Sequence, residues 1–141
     1  MKGNNKTASY ILQAFHTLLD LFYCSYLFIF PQKYDIYFAG FILLIILQWC
    51  CSKNECLLSY YEKKWLNPSY VFASKPKDLP HYKTFHNSTT IFIVHSFILL
   101  NLLVIIYRSK TILVKGIAST ALLVAFICSY VIDSHLYNPA N

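Results

Sequence analysis

Four polar side chains recur along the first apolar stretch of the chain at positions that share one face of a helix. Gln13, His16, Asp20 and Cys24 follow one another at spacings of three, four and four residues, so a single helical stripe carries all of them. His16 and Asp20 can form a hydrogen-bonded pair, which lowers the cost of burying either group. Ionisable groups within an apolar helix face protein or water, which makes this stripe the first candidate site.

Three polar residues of the other apolar stretches, Gln48, His95 and Asn101, are predicted to join this stripe in one intramembrane layer. His16 and His95 fall at similar depths from the same end of their helices. One interpretation is that both imidazoles ligate a haem or a transition metal. A second is a proton or solute path with Asp20 as the titrating group. The simplest is that these groups form interhelical hydrogen bonds of about 0.6 to 2 kcal/mol each, with no cofactor.

The polar stretch 52–88 contains a further set of candidates, Cys56, Ser59, Glu62 and Trp65. Ser52 and Glu55 have the spacing of a capping box, which predicts a short helix from Glu55 to Leu66. It ends before Asn67-Pro68, because proline cannot continue a helix. Its aromatic residues alternate with charged ones, a pattern typical of an amphipathic helix at a membrane surface. We expect the four candidates to contact lipid or a protein partner.

The five cysteines suggest neither a disulfide nor a zinc site. Cys50, Cys51 and Cys56 are predicted to lie at a cytosolic boundary, where thiols are normally kept reduced, and their spacing fits no common zinc pattern. Cys50 and Cys51 are juxtamembrane candidates for palmitoylation. Cys56, Glu62 and His81 could meet as nucleophile, base and orienter, although nothing in their spacing selects them.

The elements that must position these residues follow from the distribution of apolar residues. The chain is 57% hydrophobic and 13% charged, and its apolar residues collect in four blocks, 9–30, 34–51, 90–107 and 111–132. Each block can cross a hydrocarbon core of about 30 Å as a helix. Very short connections make two antiparallel hairpins. The sequence therefore predicts an all-α integral membrane four-helix bundle, a single polytopic domain over 1–141, with a short interfacial helix in its central loop.

The orientation follows from the lysines and arginines of the loops. With four spans, the two termini and the loop 52–88 share one side and carry eight of these residues against three on the other. The positive-inside rule then places both termini in the cytosol, in a membrane whose identity the sequence does not give. Topology and anionic lipid explain the net charge of +6, so we expect no nucleic acid. Asn87-Ser88-Thr89, a glycosylation sequon, would carry glycan only if this orientation were inverted.

Residues 49–70 resemble uncharacterised small membrane proteins of large DNA viruses. The resemblance centres on N-E-C-L-L-S-Y-Y-E-K-K at 54–64. The segment is also similar to a bacterial membrane family of unknown function that carries C-P-L-T-x-L-E after a hydrophobic helix. Cys56, Leu58 and Glu62 match that pattern, Ser59 stands for its threonine, and Leu57 and Tyr61 replace its proline and leucine. The resemblance implies a viral or bacterial type of membrane architecture and no activity.

The motifs of soluble enzymes are missing from the sequence. It contains no glycine-rich phosphate loop, no G-x-S-x-G and no H-E-x-x-H, and it has only three glycines. We therefore expect a small multi-pass membrane protein that is not an enzyme. Its expected role is a structural or assembly component of a membrane, with the bilayer, another membrane protein or a second copy as partner. The alternative is a haem or metal redox protein, or a small transporter, that uses His16, Asp20 and His95.

Overall fold

A computed structural model describes residues 5–52, 55–72 and 88–136, without the side chains of residues 5, 88, 91 and 129–136. All regular elements within these ranges are helical, and the ranges contain no strand. They are α1 (Asn5–Ile29), a 3-10 turn (Gln32–Tyr34), α2 (Asp35–Cys51), α3 (Leu57–Leu66), α4 (Ser88–Arg108) and α5 (Ile112–Leu136). The all-α prediction is confirmed, and each of the four long helices coincides with one of the four apolar blocks.

Two of these helical segments are long and apolar enough to cross a membrane. They are Lys6–Ile29, with a mean hydropathy of 1.2, and Gln32–Cys51, with a mean hydropathy of 1.7. The parts of α4 and α5 with described side chains, Phe92–Arg108 and Ile112–Cys128, are also apolar but shorter than the 18 residues required of a span.

The helices pack around one apolar core. The most extensive pairings are α2 with α5, α1 with α3 and α4 with α5, and α1 also packs against α4. Ala39 of α2 and Ala118 and Ala121 of α5 are fully buried, and such small side chains allow neighbouring helix backbones to approach closely. Aromatic side chains connect α1 to α2: the Tyr26 ring stacks on the Phe38 ring with 3.8 Å between ring centroids.

An ion pair connects the two turns at one end of the bundle. Asp35, at the start of α2, is almost completely buried and accepts two hydrogen bonds from the Arg108 guanidinium at the end of α4. The Tyr26 hydroxyl donates to the same carboxylate at 3.0 Å, and the Gln32 side-chain amide donates to the Arg108 carbonyl at 2.7 Å. The two helical hairpins are therefore fixed to each other where their chains reverse.

A disulfide joins Cys50 of α2 to Cys128 of α5, so the expectation that these thiols stay reduced is wrong for this pair. α2 and α5 run in the same direction side by side, and each cysteine lies near the same end of its helix. The Cα atoms are 6.0 Å apart, a usual separation for a disulfide. The pair was missed because local sequence does not reveal which helices are neighbours. Cys24, Cys51 and Cys56 are free.

The short helix α3 begins two residues later than predicted, and the expected capping box does not form. The Ser52 hydroxyl bonds to the Gln48 carbonyl and, at 2.8 Å, to the Glu55 carbonyl, so it continues the end of α2 instead of capping α3. Cys56 occupies the N-cap position in extended conformation. Glu55 lies outside the helix, and its side chain is held elsewhere, by Lys63 and Tyr70. The predicted end at Leu66 is correct.

The disulfide predicts the thiol count of the native protein. Denatured without reductant, the chain should bind three maleimides, and after reduction it should bind five, as read by intact mass. Cys50→Ser should lower the free energy of unfolding by about 2 to 4 kcal/mol, because a long loop is no longer closed in the unfolded chain. Cys51→Ser, the adjacent exposed position, is the matched control and should leave stability unchanged. Five maleimides without reduction would refute the pairing.

Candidate functional site

The short helix α3 buries its polar face and exposes its apolar one. Ser59, Glu62 and Lys63 are buried, each at most 6% exposed. Leu57, Tyr61 and Trp65, spaced by four residues along the opposite face, are 37 to 46% exposed. A helix at the surface of a water-soluble domain shows the reverse arrangement. The polar side chains of α3 must therefore have partners inside the protein.

Glu62 has its partners on α1. Its Oε1 lies 3.0 Å from Nδ1 of His16, and both side chains are buried. Ser9 lies two helical turns before His16 on the same face of α1, and its hydroxyl donates to the Glu62 carbonyl oxygen at 3.3 Å. Burying a carboxylate or an imidazolium alone is costly, and the cost falls when the two are paired and hydrogen-bonded. Two of the predicted groups, the intramembrane stripe and the loop contact, thus meet in one site.

Cys56 lies at the start of α3, where the charge of the His16 imidazole acts on its thiol. Burial raises the pKa of the Cys56 thiol. The interaction with His16, together with the N–H groups of Ser59 and Leu58, outweighs burial and holds that pKa below its ordinary value. The sulfur makes no capping hydrogen bond of ordinary geometry, so these amides act mainly through their field.

A second buried network fixes the end of α3. The Lys63 ammonium donates to Glu55 Oε1 at 2.7 Å and to the Tyr70 hydroxyl at 3.2 Å, and that hydroxyl donates to the same Glu55 oxygen at 2.7 Å. Burial and the hydrogen bond to Glu55 raise the pKa of Tyr70. The Lys64 ammonium donates to the Tyr70 carbonyl at 3.0 Å. The chain after α3 is therefore tied back along the helix.

Gln48 holds the beginning of α3 from the other side. Its side-chain N–H group donates to the Glu55 carbonyl at 3.0 Å and to the Ser52 hydroxyl at 2.5 Å, and its Oε1 accepts from the Leu57 N–H at 3.3 Å. It was predicted to join an intramembrane layer, but these contacts make it a brace between the end of α2 and the start of α3.

The remaining layer residues are distributed over different contacts. Asn101 is buried on α4 and donates from its amide to the Tyr23 carbonyl of α1 at 2.6 Å, an interhelical bond of the predicted kind. His95 packs edge-on against Trp49, with 5.1 Å between ring centroids. The Trp49 indole N–H is buried and, within the described residues, lacks a hydrogen-bond partner.

The rest of the α1 stripe surrounds His16. Asp20 is half-buried and close enough for its charge to interact with the imidazole. Gln13 and Cys24 are half-buried, and the Gln13 carbonyl accepts from Thr17 at 3.0 Å. Among the described side chains, no group of three or more His, Cys, Asp or Glu is arranged to hold a metal.

The predicted partners of Cys56 are only partly the observed ones. His81 lies outside the described residues, and the imidazole whose charge acts on the thiol belongs to His16. Trp65, predicted to contact lipid or a partner, is on the exposed face of α3, whereas Ser59 and Glu62 are turned inward. The buried pair of Asp35 and Arg108 was not singled out by the sequence analysis. Their positions next to the two short turns are a signal that could have revealed it, because the predicted topology puts both turns at the same end.

Removing the Glu62 charge should release α3 from α1. In Glu62→Gln, backbone amides of 57–66 should exchange hydrogen for deuterium about tenfold faster, since a buried hydrogen bond between charged groups contributes about 1.5 to 3 kcal/mol. Exchange in α4 should not change. Tyr61→Phe, on the exposed face of the same helix, is the control and should exchange like the wild type. Unaltered exchange in Glu62→Gln would mean that the His16 contact does not hold the helix.

Comparisons with protein-family models, with curated proteins and with solved structures find no match to the chain. The functional argument consequently depends on the side chains themselves. Their arrangement offers two features that bear on function: an exposed apolar face of α3, and the buried pair of His16 and Glu62 on the opposite side of that helix.

Proposed function

We propose that the chain is a four-span integral membrane protein in which α1, α2, α4 and α5 cross the bilayer and α3 lies at one membrane surface. Its role is that of a non-enzymatic structural or assembly component of a membrane or membrane complex. The exposed face of α3 formed by Leu57, Tyr61 and Trp65 makes the contact with lipid headgroups and with a partner. A short amphipathic helix with aromatic residues is suited to that layer.

The observation that carries this proposal is a strongly apolar exterior around a core that also encloses charged and polar side chains. Large apolar residues on the outer faces of all four long helices are strongly exposed, among them Phe28, Leu44, Phe92 and Ile112 at 67 to 88%. The buried set instead includes Asp35, Glu62 and Asn101, together with other charged or polar residues. Hydrocarbon surroundings explain both halves of the pattern, because lipid favours the apolar exterior and polar groups must pair inside.

The proposed orientation places the loop between α2 and α4, and both termini, on the cytosolic side. It is supported by the excess of lysines on that side of the bundle. The pairing of Arg108 with Asp35 weakens the positive charge of the opposite side further. The Cys50–Cys128 disulfide argues against this orientation, because cytosolic thiols are usually reduced. A glycan on Asn87 of the expressed protein would show that the loop between α2 and α4 faces away from the cytosol, and so that the proposed orientation is inverted.

The position of α3 can be tested with the two tryptophans of the chain. In a Trp49→Phe variant reconstituted in vesicles, the emission of Trp65 should be quenched by phospholipids brominated near the headgroup. Quenching should weaken when bromine is placed at the centre of the bilayer. The Trp65→Phe variant, which keeps only Trp49, is the control for quenching of the bundle itself. Efficient quenching of Trp65 by aqueous iodide, with none by brominated lipid, would refute an interfacial α3.

The assembly role predicts a complex that depends on the exposed face of α3. Crosslinking in native membranes should recover a defined larger species, either a second copy or another membrane protein. Trp65→Ala and Tyr61→Ala should deplete that species, because aromatic anchors contribute most of the binding energy of an interface. The thermal stability of the solubilised protein should stay unchanged, which separates lost contact from lost fold. If wild-type protein yields only uncrosslinked monomer, the assembly role is refuted.

A further inference from the structure

The space between α1 and α2 is filled by aromatic side chains and not by close packing of the two backbones. α1 packs against α3 and α4, and α2 packs against α5, whereas the backbones of α1 and α2 approach each other much less. Rings bridge the gap. Phe22 and Tyr26 of α1 lie 5.9 and 3.8 Å from Phe38 of α2, measured between ring centroids. A groove remains along these rings.

The groove has a volume of about 290 Å³, close to the lower limit of roughly 300 Å³ for small-molecule sites. All seven side chains that line it are aromatic, three from α1 and four from the turn and α2. Buried Tyr26 and Phe38 form its floor, and the exposed side chains of Tyr34, Tyr37 and Phe41 form its rim. The groove is therefore open to the surroundings of the bundle and offers them an aromatic surface.

The depth of the groove matches one lipid leaflet, an argument that rests on the four-span arrangement proposed above. The groove begins at the turn between α1 and α2, at the end of α1 away from His16, where α3 is bound. Its lining residues on α1, Phe22 to Phe30, extend over roughly 12 Å. Half of a hydrocarbon core is about 15 Å thick. A lipid whose headgroup lies beside the turn would thus run an acyl chain along the groove through most of the leaflet.

Lysine side chains give the mouth of the groove a positive charge. The Lys33 ammonium lies 5.0 Å from the centre of the Tyr34 ring, which is part of the rim. Lys110, in the other turn at this end of the bundle, is also exposed. Among the described residues of the two turns and the adjoining helix ends, Asp35 is the single carboxylate, and it is paired with Arg108. The two lysine charges therefore remain available to an anion.

We propose that the groove is a binding site for one anionic phospholipid. Its acyl chain lies along the rings of α1 and α2, and its phosphate lies at the Lys33 ammonium. Cationic side chains attract anionic headgroups, and aromatic residues are enriched at the headgroup level of membrane proteins. The site is separate from the exposed face of α3, so it adds a lipid ligand to the assembly role and does not replace that role.

Charge complementarity selects this occupant over two others. A sterol would suit the aromatic walls, but it carries no charge to balance the lysines. A second copy of the chain would have the same orientation in the membrane, so its own Lys33 and Lys110 would lie near the first pair and repel them. An anionic phospholipid fits both the apolar walls and the positive mouth of the groove.

Native mass spectrometry of the full chain tests whether a lipid is retained. The protein is reconstituted in nanodiscs that contain phosphatidylglycerol and phosphatidylcholine in equal amounts, and it is released from them in the gas phase. Wild-type protein should retain one phosphatidylglycerol in preference to phosphatidylcholine, and added cholesterol should not displace it. A lipid-free monomer or dimer, equal retention of the two phospholipids, or displacement by cholesterol would each overturn the proposal.

The contribution of charge is tested by comparing two exposed lysines. Lys33→Gln should lower the preference for phosphatidylglycerol about fivefold, the effect expected of one lysine beside an anionic headgroup. Lys110→Gln, in the other turn at the same end of the bundle, is the matched control and should keep most of the preference. Equal losses in the two variants would indicate diffuse attraction to charge instead of a site at Lys33, and would contradict the proposal.

The contribution of the groove is tested by removing two aromatic side chains of its rim. Tyr37→Ala combined with Phe41→Ala should abolish lipid retention at an unchanged melting temperature. Tyr107→Ala, at a side chain that is 90% exposed and outside the groove, is the control and should retain lipid like the wild type. Retention by the double variant would refute the groove as the site. Flotation with vesicles tests the membrane setting itself, so incorporated protein that retains no lipid refutes this site alone.

Discussion

The contact between His16 and Glu62 determines where the short helix lies, and most features of the candidate site depend on it. Without a partner, a carboxylate on α3 would turn to water and draw the polar face of the helix outward. Pairing with α1 reverses that preference, so the polar face is buried and Leu57, Tyr61 and Trp65 face out. The same contact fixes the orientation of the imidazole ring.

In the part of the chain that the structure describes, buried charges are paired in three places. Asp35 and Arg108 pair at one end of the bundle, and His16 with Glu62 and Lys63 with Glu55 pair around α3. Removing one partner of such a pair typically costs about 3 to 5 kcal/mol, because the other charge is left buried alone. Each pair therefore acts as a constraint on geometry more than as a source of net stability. In the proposed bilayer setting, this constraint joins segments that apolar contacts alone would not hold together, since lipid solvates apolar helix faces equally well.

Local sequence was sufficient to predict the helices and several of their ends. The predicted block 34–51 became Asp35–Cys51, and 90–107 became Ser88–Arg108, because a run of apolar residues and the polar residues that stop it are local properties. Asn101 makes an interhelical hydrogen bond, which is one of the interpretations that the sequence left open for the polar layer. The expected membrane setting is supported most directly by two segments long and apolar enough to cross.

What sequence could not predict was the choice of neighbours. His16 was predicted to lie at the same depth as His95, but its observed partner, Glu62, belongs to α3. The sequence analysis placed α3 along the membrane surface and assigned it no neighbouring helix. Cys50 and Cys128 occupy the same level of two adjacent helices, a relation that no spacing within one segment encodes. The capping box failed for a similar reason. Glu55 had stronger partners in Lys63 and Tyr70, which lie beyond the window in which a cap is recognised.

The segment that carries Cys56 is held from both sides, and this explains how a short connection can present a thiol in one place. Before it, the disulfide at Cys50 anchors the end of α2, and Gln48 bonds to the backbone of Glu55 and Leu57. After it, Glu62 fastens α3 to α1. Reducing the disulfide would loosen the first of these supports and leave the second, so the start of α3 would then be held by the Gln48 hydrogen bonds and by the contact of Glu62 with α1.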